Sequence, residues 1–187
     1  MKKKMIVLTF LVCGALSTAM AQYEKGNITA NAGFSFGLIG YGYGYYGGAR
    51  GFLPITLNAE YSVNDVFAIG PYFGMYSRSY AAGDYKFRAL SFGARGTFHA
   101  SEFLNDNLNM SINTDKVDIY GSLILGIESY SWKYADYISA GYYSNGSRFI
   151  FGPVLGIRYL FSPNFGAFFE GGRGAFGYGT LGITARF

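Results

Sequence analysis

The sequence predicts an all-β fold: an eight-stranded antiparallel transmembrane up-and-down β-barrel. Three observations predict it. Eight segments alternate apolar and polar residues with a period of two. The last of them runs to the final residue, with Phe187, Ala185, Ile183 and Leu181 on one face and Arg186, Thr184, Gly182 and Thr180 on the other. The chain also begins with an export signal but has no later apolar run of about 18 residues, the length a membrane helix needs. A closed barrel is then the remaining way to cross a bilayer with every backbone polar group satisfied.

The export signal occupies residues 1–21. Lys2, Lys3 and Lys4 form a basic start, Met5 to Leu16 a mostly apolar run, and Ala19-Met20-Ala21 a cleavage site before Gln22. Cys13 lies inside the apolar run behind Val12, where lipidation would need a small residue, so no lipid anchor is expected. Residues 22–187 form a single barrel domain. Losing the three signal lysines lowers Lys+Arg from 15 to 12 against 11 acids, a net charge near +1. That balance gives no reason to expect a nucleic-acid partner, which clustered Lys and Arg would attract. The only cysteine leaves with the signal, which removes disulfides and thiolate metal sites. Aromatics at 20% with charges at 14% suit a surface bathed in hydrocarbon and oppose disorder.

The strands follow in order. In residues 27–36, Ile28, Ala30, Ala32, Phe34 and Phe36 oppose Asn27, Thr29, Asn31, Gly33 and Ser35 without a fault. A water-soluble sandwich strand alternates in the same way, so repetition around the sheet must decide. Residues 53–63 place Leu53, Ile55, Leu57, Ala59, Tyr61 and Val63 outward and Glu60 inward, before a turn at Asn64-Asp65. Residues 66–77 send Phe67, Ile69, Phe73 and Met75 out and Tyr72 and Tyr76 in. Residues 87–99 send Leu90, Phe92 and Phe98 out and Arg95 and His99 in. Residues 117–129 send Leu123, Leu125 and Ile127 out and Asp118, Tyr120 and Glu128 in. Residues 149–161 send Phe149, Phe151, Leu155 and Phe161 out and Arg158 in. Residues 165–171, with Glu170 inward, alternate most weakly, and residues 178–187 close the set. Most of these reach the 9–11 residues, roughly, that a tilted strand needs to cross. Pro71 and Pro153 each remove a ladder hydrogen bond and are expected to mark bulges.

Connections are unequal. Segments 37–52, 78–86, 130–148 and 172–177 fall at one end, while the turns at 64–65 and 162–164 at the other are very short. Long loops outside and short turns inside is the outer-membrane pattern, with both chain ends periplasmic. The exception is the Asn-rich connection 100–116, where a short helix is expected although its spacing matches a helix poorly.

Seven charges fall on the lumen side: Glu60, Arg95, Asp118, Glu128, Arg158, Glu170 and Arg186. They suit either an ion-selective constriction or a paired network filling a narrow interior. Their near balance of sign, with Tyr72, Tyr76 and Tyr120 adding bulk, favours the network. The loops offer a second set. Tyr41, Tyr43, Tyr45 and Tyr46 lie in a glycine-rich stretch, and Trp132, Tyr134 and Tyr137 in the third long loop. Such residues supply rigid amphipathic contact area for binding; they equally suit an interfacial aromatic girdle. Gly42–Gly47 and Gly172–Gly177 match G-x-G-x-x-G but open no helix in a βαβ unit, so they read as loop glycines. His99 is the lone histidine, with Ser101 and Glu102 as neighbours on a connection. That is too little for acyl-transfer catalysis or for metal binding, so no enzyme activity, metal or cofactor is expected.

The chain resembles the small porin-family outer-membrane β-barrel proteins of the OmpX-like and OmpA-like eight-stranded kind. The resemblance rests on Ile69-Gly70-Pro71-Tyr72-Phe73-Gly74, Phe92-Gly93-Ala94-Arg95-Gly96, Gly156 to Asn164, Glu170-Gly171 and the Phe187 terminus. Thr180, Gly182, Ala185 and Phe187 look like the C-terminal signal that such proteins present to the barrel assembly machinery. The resemblance implies a bacterial outer-membrane location, partners in outer-membrane lipid and that machinery, and a scaffold without a shared catalytic site. A structural or surface-interaction role through tyrosine-rich loops, toward an unidentified surface ligand, is the leading expectation. A small-solute porin or channel is the alternative.

Overall fold

The computed structural model describes residues 25–38, 49–51, 53–80, 85–133, 143–174 and 176–187. The export signal and the loop tyrosines Tyr41, Tyr43, Tyr45, Tyr46, Tyr134 and Tyr137 lie outside the described residues. The strands are β1 (Ile28–Leu38), β2 (Ala49–Gly51), β3 (Ile55–Ser62), β4 (Phe67–Tyr80), β5 (Tyr85–His99), β6 (Val117–Lys133), β7 (Tyr143–Ser162), β8 (Phe165–Gly172) and β9 (Gly177–Arg186). A helix, α1 (Ser101–Leu108), sits between β5 and β6.

Strands β2 and β3 both pair with β4, at its two ends, and together make one stave, so the barrel has eight. All pairings are antiparallel between neighbours in the chain, except that β1 also pairs with β9 and closes the sheet. The closure runs from Thr29 opposite Arg186 to Leu38 opposite Gly177. It extends to the last residue: Ile28 N–H donates to the Phe187 carbonyl at 3.0 Å, and Phe187 N–H returns a bond to Ile28 at 2.9 Å. The structure is the eight-stranded antiparallel transmembrane barrel that the alternation predicts.

Register turns the outward residues into continuous belts. Ile183, Ala32, Leu57, Phe73, Phe92, Ile127 and Phe149 stand opposite one another from β9 round to β7. Of the large ones, Phe92 is 54% and Phe149 67% exposed, which only an apolar surrounding makes favourable. The short turn at Asn64 is held by its own side chain, whose Oδ1 accepts from Val66 N–H and Phe67 N–H.

The prolines do not mark bulges. Pro71 opposes Ala94, and Pro153 opposes Leu123, in unbroken register. The cost of Pro71 appears on its other side, where the β3–β4 ladder skips from Asn58–Tyr72 to Tyr61–Ile69 without changing register. The register shifts fall elsewhere: between Leu160 and Ser162 on β7, and between Gly51 and Ile55, a four-residue step matched by three residues from Arg78 to Met75. The strands also outrun their expected ends. β4 continues to Tyr80, β6 to Lys133, and β7 begins at Tyr143, so the loops between them are shorter than the alternation suggests.

Inside the barrel, aromatic rings lie against glycines of the next strand. Gly93 and Gly126 face each other across β5 and β6, and the Tyr72 ring from β4 covers both. Gly33 and Gly182 face each other across β1 and β9 beneath Phe168 of β8. Tyr120 of β6 lies over Gly156 of β7. An eight-stranded interior is only wide enough for side chains to fill, so a large ring must lie along the wall, and a missing Cβ makes the space. Gly126→Ala therefore pushes a methyl into Tyr72 and the Phe92 carbonyl. It is expected to lower stability by about 1–3 kcal/mol, the usual overpacking range, in urea unfolding from lipid vesicles. Gly96→Ala, whose added methyl meets nothing within 4 Å, is the matched control and should leave the midpoint in place.

Candidate functional site

The lumen is filled in two layers. The layer nearer the short turns and the chain ends is ionic. Arg95, from β5, reaches Glu60 of β3 (Nε to Oε1, 2.9 Å) and Glu170 of β8 (Nη2 to Oε1, 2.6 Å). Arg158, from β7, reaches Glu60 (3.2 Å) and Asp118 of β6 (3.0 Å). His99 Nδ1 lies 3.1 Å from Asp118 Oδ2, the same oxygen that Arg158 reaches. The result is one cluster, His99–Asp118–Arg158–Glu60–Arg95–Glu170, bridging five strands.

Neutral groups complete it. Tyr120 donates its hydroxyl to Glu170 Oε1 at 2.8 Å, and its ring carries the Arg158 guanidinium at 4.1 Å. Arg95 also donates to Ser122 Oγ and Thr97 Oγ1. Asn31 Nδ2 donates to Asn58 and, at 3.4 Å, to Glu60. Arg158 and Glu60 are fully buried. Charges so buried persist only when paired and hydrogen-bonded, and the two forked guanidiniums, each shared between two carboxylates, supply that.

Five of the seven expected lumen charges thus meet in one cluster. Glu128 is separate: it pairs with Arg148, 2.8 Å away, nearer the loop end. Arg186 is buried at the short-turn end, where Asn164 Nδ2 donates to its carbonyl. Arg148 lies one residue before the alternating stretch 149–161, and the strand's longer course sets it inward, opposite Glu128. His99 also belongs to the cluster, as a partner of Asp118.

The second layer, nearer the long loops, is apolar. Tyr72, Tyr76, Phe87, Ala89, Ile124, Ile150 and Phe176 form a buried cluster, with Tyr130 and Trp132 packed against it. Phe87 meets Trp132 at 4.4 Å between ring centroids and Tyr76 at 5.7 Å; Tyr76 meets Phe176 at 6.4 Å. Trp132 is therefore part of β6, directly opposite Phe87, and partly buried, rather than a loop residue. Phe176, expected in an outer loop, is fully buried as the centre of this stopper. Ile124, Ile150, Val154, Leu160 and Phe168 are also buried inside, so the filling goes beyond the charges and tyrosines.

Two hollows border this filled core. One, about 1010 Å³, lies on the outer, lipid-facing wall, floored by Gly96, Gly121 and Gly171 and walled by Phe67, Phe98 and Leu155. The other, about 20 Å³, lies at the short-turn mouth beside His99, Ser101, Glu102 and Asp118. Ser101 Oγ is occupied there, donating to the Val117 carbonyl at 3.4 Å and accepting from Ile119 N–H at 2.6 Å. At the closing strand, Thr180 Oγ1 shares a hydrogen bond with Ser35, Ala185 stands between Ala30 and Phe165, and Phe187 is 68% exposed on the outer face.

The ionic layer gives a direct test. Arg158→Leu removes the cation that Glu60 and Asp118 share, leaving Glu60 to Arg95 and Asp118 to His99, and is expected to lower stability by about 3–5 kcal/mol, read from denaturant unfolding in lipid vesicles. Glu128→Gln should lose clearly less, because its partner Arg148 is 31% exposed and can turn to water. Equal stability of Arg158→Leu and the unmodified chain would contradict a cluster that depends on pairing.

No family model matches the chain, and no curated protein matches it. Solved structures do. The crystal structure of Ail, the attachment invasion locus protein of Yersinia pestis, superposes with a TM-score of 0.53 at 18% identity, over 87% of this chain and 99% of that one. The same protein in complex with the heparin analogue sucrose octasulfate gives 0.54 at 20% identity, with the same coverage. The N-terminal β-barrel domain of Pseudomonas aeruginosa OprF gives 0.48 at 15% identity, over 89% of this chain and 100% of that domain. The likeness is one of fold, and the fold is that of the small eight-stranded outer-membrane β-barrels.

Proposed function

We propose that the chain is a bacterial outer-membrane barrel with a structural or surface-interaction role, carried by its tyrosine-rich extracellular loops. The observation that carries this reading is the doubly filled lumen. An ionic cluster bridging five strands lies below an aromatic stopper, so chemistry with the surroundings is left to the two ends and the outer wall. The export signal at residues 1–21 and the terminal pattern of Thr180, Gly182, Ala185 and Phe187 support delivery to the outer membrane by the barrel assembly machinery. In that orientation the short turns and α1 are periplasmic and the long loops face outward.

One solved structure of this fold, Ail of Yersinia pestis, is named for attachment and invasion and has been solved in complex with a heparin analogue. Attachment is thus a role for which a protein of this fold is named. Here the loop sequence 40–48, Gly-Tyr-Gly-Tyr-Gly-Tyr-Tyr-Gly-Gly, offers four tyrosines on small-residue backbone, contact area with adaptable spacing.

Two measurements separate this role from a small-solute pore. Residues 22–187, refolded into a planar bilayer, are expected to give no discrete single-channel steps. Reproducible steps from protein shown to be folded would favour the pore. Deleting residues 40–48 should leave folding intact and reduce adhesion of vesicles carrying the protein to a heparin-coated surface. Unchanged binding would count against the loop role.

A further inference from the structure

The connection between β5 and β6 carries apolar side chains that the barrel leaves uncovered. Phe103 is 52%, Leu108 62% and Met110 45% exposed. At about 100° per residue, Phe103, Leu104 and Leu108 fall on one side of α1 with Asn107 among them, and Glu102, Asn105 and Asp106 on the other. The helix is not a loose tether. Ala100 N–H donates to the Ile119 carbonyl at 2.7 Å, and Ser101 bonds twice to β6. Asn105 bonds in both directions to the backbone of Ile112. Asn109 ends the helix in the left-handed region, at φ 50°. A segment fixed this firmly holds its apolar side in one direction.

That direction is given by aromatic contacts. The Phe103 ring meets Phe98 edge-on at 6.3 Å, and Phe98 meets Phe67 at 5.2 Å. Phe67 is an outward residue of β4, 51% exposed in the lipid-facing belt, and both Phe67 and Phe98 wall the lipid-facing hollow. The row Phe67–Phe98–Phe103 carries the lipid-facing surface off the rim of the barrel and onto the helix.

We propose that α1 and Met110 lie in the phospholipid surface at the short-turn end, with Phe103, Leu108 and Met110 in the boundary between headgroups and acyl chains. The proposal rests on the membrane-barrel reading and adds to it a second, monotopic contact, made by a helix that does not span. Residues 100–116 hold Glu102, Asp106 and Asp115 against Lys116, a net charge of −2. An acidic segment gains nothing from an anionic surface, so the attachment is apolar and suits a zwitterionic glycerophospholipid. Its consequence is a barrel held at a set depth and tilt by an anchor on one side of its rim.

The test uses the folded barrel in phosphatidylcholine vesicles, in a Trp132→Phe background so that a single tryptophan reports. Phe103→Trp, Leu108→Trp and Met110→Trp are made one at a time, with Leu123→Trp in the lipid-facing belt as reference. Emission from positions 103, 108 and 110 is expected to fall in vesicles brominated on the acyl chains, more for bromine near the glycerol than near the chain tip. It should resist aqueous iodide and be insensitive to added salt. Quenching by iodide but not by bromine, with Leu123→Trp still quenched by bromine, would overturn the proposal while leaving the barrel in the membrane. Loss of bromine quenching at Leu123→Trp as well would overturn the membrane reading itself. Emission that follows protein-to-lipid ratio rather than bromination would assign the face to a second copy and also overturn the proposal.

Discussion

Inside hydrocarbon, every backbone N–H and C=O must find its partner within the chain, and the pairing of β1 with β9 is what meets that demand here. Without it two strand edges would face lipid. With it the sheet closes on itself, and the last residue takes part, since Phe187 both donates to and accepts from the backbone of Ile28. Closure at eight staves then sets the width of the interior, and that width governs almost everything found inside.

A narrow interior cannot hold large side chains pointing at its axis from every strand. The barrel resolves the crowding by pairing rings with glycines: Tyr72 over Gly93 and Gly126, Phe168 over Gly33 and Gly182, Tyr120 over Gly156. The abundance of glycine in a β protein, which would weaken an ordinary strand, here makes room for bulky neighbours. The charges obey the same limit. Arg95 and Arg158 each lie within reach of two carboxylates, and Tyr120 supports the cluster twice, giving its hydroxyl to Glu170 and its face to Arg158. The main ionic cluster and the aromatic cluster lie at different levels along the axis, so the apolar stopper covers the paired charges on the loop side.

With the interior committed to stability, the places left for interaction are the loop end, the outer wall and the short-turn rim. The rim is unusual for a barrel of this size, since its one long connection is folded into a helix bonded to β6 and joined by aromatic contact to the lipid-facing belt. The outer wall is uneven too, with glycines opening a hollow among large apolar neighbours.

The period of two was enough to place eight staves, the outward belts and the lumen side of all seven charges, because in a strand the facing of a side chain follows from its parity alone. Sequence also placed the closing role of the Phe187 strand. It could not place the ends of the staves, since β4, β6 and β7 extend beyond the apolar alternation into residues whose pairing is decided by a neighbour strand. Trp132 and Phe176 consequently read as loop residues and are instead parts of the stopper. Nor could it show that Pro71 and Pro153 sit in unbroken register, because which neighbour a proline's missing N–H faces depends on the ladder around it. What tertiary structure alone decided is which charges meet. Glu60 and Arg158 are separated by 98 residues, and no local pattern carries their contact; ring closure and the register of each stave bring them to the same level, while Glu128, one stave and several residues away, finds Arg148 instead.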